Sequence, residues 1–339
     1  MTNIKKIGLS ALAGALAITS AHAGAISVSG NMEISYTKGS GKHTTGNPLG
    51  QNNELTFTAS TELDNGVTVA YKNTATDTAL ANDSELVFGN ILGGTLSMQS
   101  TGSPLDGIDN KMPTAFNDAE GAVGSIADVS GANGDFGIRY TLSDVAGSGI
   151  KLDYNYVPKH GTGDATGDGG PGGEVNGAEN SKDAHDIALT GSVPGIDGLN
   201  VGLGYSRKNY SAKSATLNNS KQENGTAYVT YATGPVTVGV QLGMQGDASG
   251  GDGTHYRNQY MGISYAISDD LSVAYNRTES RKQVGTETGP ASQIDQEWEN
   301  FSLSYSMGGM TIGLSDSDCS NCSYTAGQSE DETVLNLTI

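Results

Sequence analysis

The stretch that decides the fold is LTFTASTELDNGVTVAY, residues 55–71. Apolar and polar residues alternate through residues 55–60 and again through residues 67–71. Between these halves lies Asp-Asn-Gly, whose last two residues accept the positive φ angles that a tight turn demands. The stretch therefore predicts a β-hairpin with one apolar face and one small, polar face.

The same alternation recurs to the last residue of the chain. It predicts sixteen strands, at residues 25–37, 55–60, 67–71, 83–88, 94–100, 135–142, 149–157, 183–193, 199–208, 225–232, 236–245, 259–267, 271–278, 299–307, 310–315 and 332–339. Seven short links, at residues 63–66, 89–93, 143–148, 194–198, 233–235, 268–270 and 308–309, alternate with eight longer, polar links. This alternation puts all the turns at one end and all the loops at the other. We therefore expect an all-β fold, a 16-stranded antiparallel transmembrane β-barrel with short periplasmic turns and long external loops.

The two faces of the predicted strands fit lipid outside and water inside. The face that is not apolar carries Gly, Thr, Ser, Asn and Gln, and sixteen strands enclose a lumen too wide for side chains to fill. Lys72, Arg139 and Lys151 fall on the polar face. Arg207 and Arg277 fall on the apolar face. Arg207 comes late enough in its strand to lie at the rim, where a lipid-facing cation costs about 0–1 kcal/mol, whereas Arg277 would need a bulge or a subunit contact.

The first 23 residues have the pattern of a secretory signal. Lys5 and Lys6 precede a mostly apolar run at residues 7–18, and Ala21-His22-Ala23 is a small-residue cleavage site. We expect cleavage after Ala23, which leaves residues 24–339 as the barrel. Loss of the two lysines takes the net charge from −19 to −21. Such an acidic chain argues against nucleic-acid partners and favours cations or simple solubility.

Both cysteines lie in the C-x-x-C motif Cys319-Ser320-Asn321-Cys322. In an exported chain this spacing favours a small-loop disulfide. A redox or metal site and free thiols are the alternatives.

The signal ending in Ala-His-Ala, the first strand beginning Ile-Ser-Val-Ser-Gly at Ile26, the sixteen alternating segments and a terminal strand that ends at the last residue together resemble the bacterial general porins. The resemblance covers essentially the whole mature chain. It implies a homotrimer in the outer membrane of a Gram-negative bacterium, in contact with outer-membrane lipid. Members usually end in an aromatic residue, and the aliphatic Ile339 departs from that pattern.

In such porins the third external loop folds into the barrel and narrows it, facing basic residues of the wall. Here that position is residues 101–134, the longest link. The resemblance implies an acidic side at Asp106, Asp109, Asp118 and Glu120, and a basic side at Lys72, Arg139 and Lys151. The two sides would set a transverse field across the constriction. The alternative is that the acids are a solvated loop surface and the cations are isolated lumen charges.

These features predict a water-filled channel for passive diffusion of small hydrophilic solutes and ions, with a preference for cations. A substrate-specific channel for sugars or phosphate and a secreted β-rich adhesin with calcium-binding acidic loops are the alternatives. Gly/Asp-rich loops suit calcium. Asp164 and Asp168 are weak candidate ligands for a structural calcium ion, although the EF-hand spacing is missing. No other cofactor is expected, and neither a His-Glu-x-x-His motif nor a Gly-x-Ser-x-Gly elbow occurs, so we expect no enzymatic activity.

Overall fold

The computed structural model describes residues 26–40, 47–76, 79–99, 102–116, 129–132, 136–160, 181–210, 221–246, 254–286 and 289–339. The expected signal segment lies outside the described residues, as do Asp118, Glu120, Asp164 and Asp168. No helix in the described ranges is long and apolar enough to cross a membrane.

The described chain forms sixteen strands, each antiparallel to its neighbours in sequence, and the first strand closes the barrel against the last. They are β1 Ile26–Ser40, β2 Leu49–Glu62, β3 Thr68–Thr76, β4 Ala79–Ile91, β5 Gly94–Gln99, β6 Gly137–Leu142, β7 Ile150–Val157, β8 Ser181–Ser192, β9 Leu199–Tyr210, β10 Lys221–Thr233, β11 Val236–Gln245, β12 His255–Ala266, β13 Leu271–Thr286, β14 Gly289–Met307, β15 Met310–Ser320 and β16 Ser329–Thr338. At the seam, the Met32 N–H donates to the Ile339 carbonyl at 3.2 Å. The expected fold class is confirmed.

The hairpin at residues 55–71 forms as predicted between β2 and β3. The Leu63 N–H donates to the Val67 carbonyl at 2.8 Å. Gly66 takes a positive φ of 81°. Asn65 does not, and its side-chain oxygen accepts the Val67 N–H at 3.1 Å instead. The turn therefore uses one left-handed residue rather than two.

Several strands run further toward the loop end than the sequence pattern predicted. The prediction that all eight remaining links are long is wrong at two places, because β3–β4 and β13–β14 are each joined across only two residues. On the extra length of β13 and β14, charged side chains pair across the strands, as Arg281 Nε and Asp295 Oδ1 do at 2.9 Å. A strand that has risen past the hydrocarbon region has water on both faces. Such a strand keeps its backbone hydrogen bonds to the neighbouring strands. It no longer needs alternating apolar and polar residues, which are the pattern that identifies a strand in the sequence.

The faces of the barrel are inverted relative to a soluble protein. On β11, Val240 and Leu242 are 55% and 61% exposed, whereas Gln241 between them is 1% exposed. Other inward positions of the wall include buried Asn224, Asn258 and Asn276, although buried Tyr260 and Trp298 also point inward. Apolar side chains of the described wall therefore point mostly outward and polar side chains mostly inward, as expected for a wall with lipid outside.

The two arginines on the apolar face take up different positions. Arg207 is outward, near the loop end of β9, and donates to Asn209 at 3.0 Å. Arg277 is outward on β13 and pairs with Glu297 of β14 at 2.7 Å. The pairing of β13 with its neighbours is regular at Arg277, so no bulge accounts for it. A cross-strand carboxylate neutralises this charge.

Candidate functional site

Residues 102–116 and 129–132, here called the inward loop, lie inside the barrel. Beyond contacts within the loop itself, these residues contact inward-facing side chains of the wall. Leu105, Ile108 and Val129 form a buried apolar cluster with Ala188 of β8, against which Tyr228 of β10 packs. The described part of this link is therefore folded into the lumen rather than over its mouth.

Gln241 of β11 holds the middle of the inward loop with its whole amide group. Its Nε2 donates to the carbonyls of Ile108, at 2.8 Å, and Asp109. Its Oε1 accepts the Lys111 N–H at 2.8 Å. One buried side chain thus satisfies three backbone groups of an irregular segment, which would otherwise lie unpaired against the wall.

The loop then crosses the wall strand by strand. Asn276 of β13 donates to the Pro113 carbonyl at 2.6 Å. Ser302 of β14 accepts the N–H groups of Ala115 and Phe116 at 3.3 and 3.4 Å. The described outgoing segment therefore runs along the wall as far as β15, where Phe116 lies against Gly313.

A glycine of β12 makes room for this path. A Cβ added to Gly262 would lie 3.0 Å from Pro113 Cδ and 3.1 Å from Met112 Cβ. It would also lie 2.6 Å from Asn276 Nδ2, the atom that holds Pro113. Any larger residue at this position would push the loop away from the wall.

The returning segment, residues 129–132, is fixed beside the outgoing one. Asn224 of β10 donates to the Ser130 carbonyl at 2.6 Å. The Ala132 N–H donates to Asp186 of β8 at 3.2 Å. Both ends of the inward loop are therefore tied to the same half of the barrel.

The structure brings two of the three predicted basic residues together. Arg139 of β6 and Lys151 of β7 share the buried carboxylate of Asp153, with Nε–Oδ1 at 2.7 Å and Nζ–Oδ2 at 2.9 Å. Arg139 also lies 3.4 Å from the Gly102 carbonyl. These residues were expected opposite the loop, but they lie beside its first residues.

Lys111 of the inward loop joins this group. Together with Arg139, Lys151 and Asp153 it lines a cavity of about 160 Å³ between the loop and the wall. Lys111 was not among the residues predicted for either side of the constriction. No local signal could have placed it here, because the contact depends on how the loop folds back.

Lys72, the third predicted basic residue, lies apart from the cavity. It is on the inner face of β3, opposite Glu85 of β4. Glu54 of β2 and Glu33 of β1 also face inward on this side of the barrel. The period-two pattern could have identified Glu54, since its neighbour Leu55 belongs to the apolar face.

The two predicted acids that the structure describes are at a short 3₁₀ turn of the inward loop. This turn spans Asp106–Ile108. At its start, the Asp106 N–H donates to Ser103 Oγ at 3.2 Å. Asp109 Oδ1 accepts the Asn110 N–H at 2.7 Å. Both carboxylates are half-buried.

Cys319 and Cys322 are bonded to each other, with their Cα atoms 5.7 Å apart. Both are buried with Trp298 and Tyr260 of the wall and with Met112 of the inward loop. The disulfide is thus part of the surface against which the loop packs. Within the described ranges, no three His, Cys, Asp or Glu side chains come together as metal ligands would.

Comparisons with known proteins agree with this architecture. A family model described as Gram-negative porin matches residues 8–315. A comparison with curated proteins gives no match.

Solved structures with a similar fold include several outer-membrane proteins. In-vitro folded OmpT, an outer membrane protein of Vibrio cholerae, has a TM-score of 0.64 at 10% identity, covering 92% of this chain and 97% of that one. Its trimer form has a TM-score of 0.60 at 10% identity, covering 93% and 99%. An anion-selective porin from Comamonas acidovorans has a TM-score of 0.62 at 9% identity, covering 93% and 99%. At such identities the likeness shows the fold alone.

Proposed function

Because the chain belongs to the Gram-negative porin family and is an outer-membrane channel protein, we propose that it lets small hydrophilic solutes and ions diffuse passively through a water-filled lumen, with a preference for cations. The observation that carries the proposal is the inverted wall, in which Leu242 is exposed and Gln241 is buried. Polar side chains that line the inside of a barrel need hydrogen-bond partners, and water or solute in the lumen supplies them. The described part of the inward loop occupies part of this lumen.

The preference for cations rests on the inward acidic side chains of β1, β2 and β4. Glu33, Glu54 and Glu85 face inward there, with Lys72 as the basic residue among them. The mature chain's expected net charge of −21 adds a field of the same sign at the mouth. Because the Debye length is about 10 Å at 0.1 M salt, the preference should weaken as ionic strength rises.

The solved neighbours do not decide the selectivity. One of them is described as anion-selective, so the fold by itself does not imply a preference for cations. The ion selectivity is therefore inferred from the charged side chains of this chain's own wall. A sugar-specific or phosphate-specific channel would differ by showing saturation or block with its own solute.

We also propose that the channel is a homotrimer surrounded by outer-membrane lipid. A neighbour of the same fold occurs in a trimer form. The outward faces of β1, β2 and β16 carry exposed Ile34, Tyr36, Leu49 and Leu335, which need lipid or another subunit beside them. Mass measurement of the detergent-solubilised protein by native mass spectrometry tests the subunit number, and a monomer would contradict it.

The decisive experiment is reconstitution into planar bilayers. We expect stepwise conductance, and under a KCl gradient a reversal potential of the sign that potassium permeation produces. A reversal potential that favours chloride would overturn the cation preference. A protein that extracts into buffer without detergent and forms no conductance would instead be the secreted adhesin.

A further inference from the structure

The disulfide and the inward loop belong to one buried cluster of side chains. Cys319 of β15 lies directly opposite Trp298 of β14, and Trp298 shares its inward row with Tyr260 of β12. Met112 of the loop packs in the same cluster, whose members are all at most 7% exposed. The covalent bond and the loop are therefore connected through two packed aromatic side chains.

The disulfide holds a turn of unusual backbone conformation. It encloses only Ser320 and Asn321, so it constrains the unfolded chain less than a disulfide across a long loop does. The link from β15 to β16, residues 321–328, begins inside it. Asn321, Ser323 and Tyr324 of this link have positive φ, at 53°, 52° and 54°. Such angles cost free energy in residues other than glycine and persist only where the surroundings hold them.

Hydrogen bonds join the same turn to β14, close to the tryptophan. Asn321 donates from Nδ2 to the Asp295 carbonyl at 2.9 Å. The Tyr324 N–H donates to Gln296 Oε1 at 3.2 Å. Because these partners come just before Trp298 in the chain, a turn that relaxes would disturb β14 at the point where the indole packs on the disulfide.

The two sulfur atoms are covered by a link that can open without the barrel. Cys319 and Cys322 are 3% and 0% exposed, whereas Ser323 and residues 325–327 are exposed to water at the loop end. Local opening of an exposed link costs less free energy than global unfolding. A small reductant that reaches the loop end can therefore attack the bond while the strands stay paired.

We propose that the Cys319–Cys322 disulfide is a redox latch, a reducible bond that holds the inward loop and is opened by reductants of the dithiol class. One thiolate of the dithiol attacks a sulfur of the bond, a mixed disulfide forms, and the other cysteine leaves as a thiolate. The second thiol of the reductant then forms the reductant's own disulfide and releases the first cysteine. Two electrons and two protons thus pass from the dithiol to the protein.

Opening the redox latch changes the packing beneath the loop. The turn at residues 321–324 relaxes, and Trp298 loses the covalent pair of side chains on which it packs. Met112 then has a less ordered surface to rest on, so the inward loop leaves its docked position more often. Closing the bond restores the surface. Only the effect of this change on ionic current rests on the proposed function.

The first test uses detergent-solubilised protein before and after reduction with dithiothreitol. Trp298 is the one tryptophan of the chain. A disulfide quenches the fluorescence of an indole close to it, so we expect the emission to rise on reduction. Hydrogen exchange followed by mass spectrometry should show residues 102–116 exchanging about fivefold faster, which corresponds to about 1 kcal/mol, with residues 49–76 unchanged. Unchanged exchange of residues 102–116 in the reduced protein would overturn the redox latch, as would a bond that is reduced only when the barrel unfolds.

Matched variants test the connection between the bond and the loop. Met112→Leu keeps a side chain of similar volume and should respond to reduction as the wild type does. Met112→Ala removes the contact, so its residues 102–116 should exchange fast before reduction and change little after it. An equal response of exchange in wild type and Met112→Ala would overturn the proposal. The Cys319→Ser/Cys322→Ser double variant is the control for the reductant itself, and dithiothreitol should change neither its emission nor its exchange.

A measurement in planar bilayers keeps the redox latch separate from the channel function. Dithiothreitol should raise the open-channel noise of the wild type, and reoxidation with diamide should lower it again, whereas the double cysteine variant should not respond. Conductance together with unchanged loop exchange after reduction would overturn the redox latch and leave the channel standing. Absence of conductance together with faster loop exchange after reduction would overturn the proposed function and leave the redox latch standing.

Discussion

Gln241 and Lys111 are joined by a 2.8 Å hydrogen bond, from the backbone N–H of the loop residue to the side-chain oxygen of the wall residue. They are 130 positions apart in the chain. The same glutamine amide also holds the carbonyls of Ile108 and Asp109. A single side chain of β11 thus holds the middle of the inward loop.

Replacing Gln241 with alanine should free the middle of the inward loop. Three backbone partners are lost, and each hydrogen bond contributes about 0.5–1.5 kcal/mol, so the docked position should lose about 1.5–4.5 kcal/mol. We expect noisier open-channel current in planar bilayers, from a loop that samples several positions. Gln241→Glu keeps the acceptor for the Lys111 N–H and should be less noisy than the alanine variant. Quiet, wild-type current from Gln241→Ala would show that the glutamine does not hold the loop.

Gly262→Val should displace the loop by steric pressure. The new side chain would lie too close to Pro113 Cδ and Met112 Cβ. These atoms are attached so near the backbone that they can move away only if the backbone moves. Overpacking of this kind costs about 1–3 kcal/mol. We expect an altered conductance together with a lower thermal midpoint.

Gly225→Val is the control for Gly262→Val, because it replaces another strand glycine with valine where there is room for the side chain. A Cβ there meets its nearest neighbour, the Gly204 carbonyl oxygen, at an ordinary 3.5 Å. Equal conductance and stability in the two valine variants would mean that the loop does not pack on Gly262.

The barrel was predictable from the sequence because lipid imposes a period of two wherever it touches a strand. The alternation alone therefore assigns Val240 and Leu242 to the outward face of β11. The loop ends of β13 and β14 were missed for the same reason. Near Arg281 and Asp295 both faces carry charge, and no alternation marks the ladder.

The inward loop's docking could not be predicted in this way. Gln241, Asn276 and Ser302 look like any other polar residue of the inner face. Their role depends on which loop residues reach them. The gathering of Lys111 with Arg139 and Lys151 has the same origin, because it joins a loop to a wall through long-range folding. A period-two pattern carries no information about such contacts.

The inward glutamates of β2 and β4 should set the cation preference. Glu54→Gln and Glu85→Gln each remove one inward negative charge, and we expect the reversal potential in a KCl gradient to shift toward that of a non-selective pore. The shift should shrink at high salt, where charges are screened. Asp269→Asn, in the turn that joins β12 to β13, serves as the control for total charge. An equal shift from all three variants would point to net charge rather than to the wall.

Removing the disulfide should weaken the barrel at the loop end of β15. The chain-entropy estimate for so short a loop is about 2 kcal/mol, and Met112 of the inward loop loses part of its packing surface. We expect the Cys319→Ser/Cys322→Ser double variant to unfold at a lower temperature and still conduct. Thiol alkylation followed by mass measurement should label the wild type only after reduction. Labelling of unreduced, folded wild type would contradict the bond.

The most direct test of the inverted wall uses two adjacent residues of β2, Glu54 and Leu55. Because the chain's two cysteines are bonded to each other, a cysteine introduced at either position is the free thiol of the protein. In lipid bilayers, a charged, water-soluble maleimide should label Glu54→Cys rapidly and leave Leu55→Cys unlabelled, since one step along a strand moves a side chain to the other face. Rapid labelling of Leu55→Cys with protection of Glu54→Cys would contradict the account.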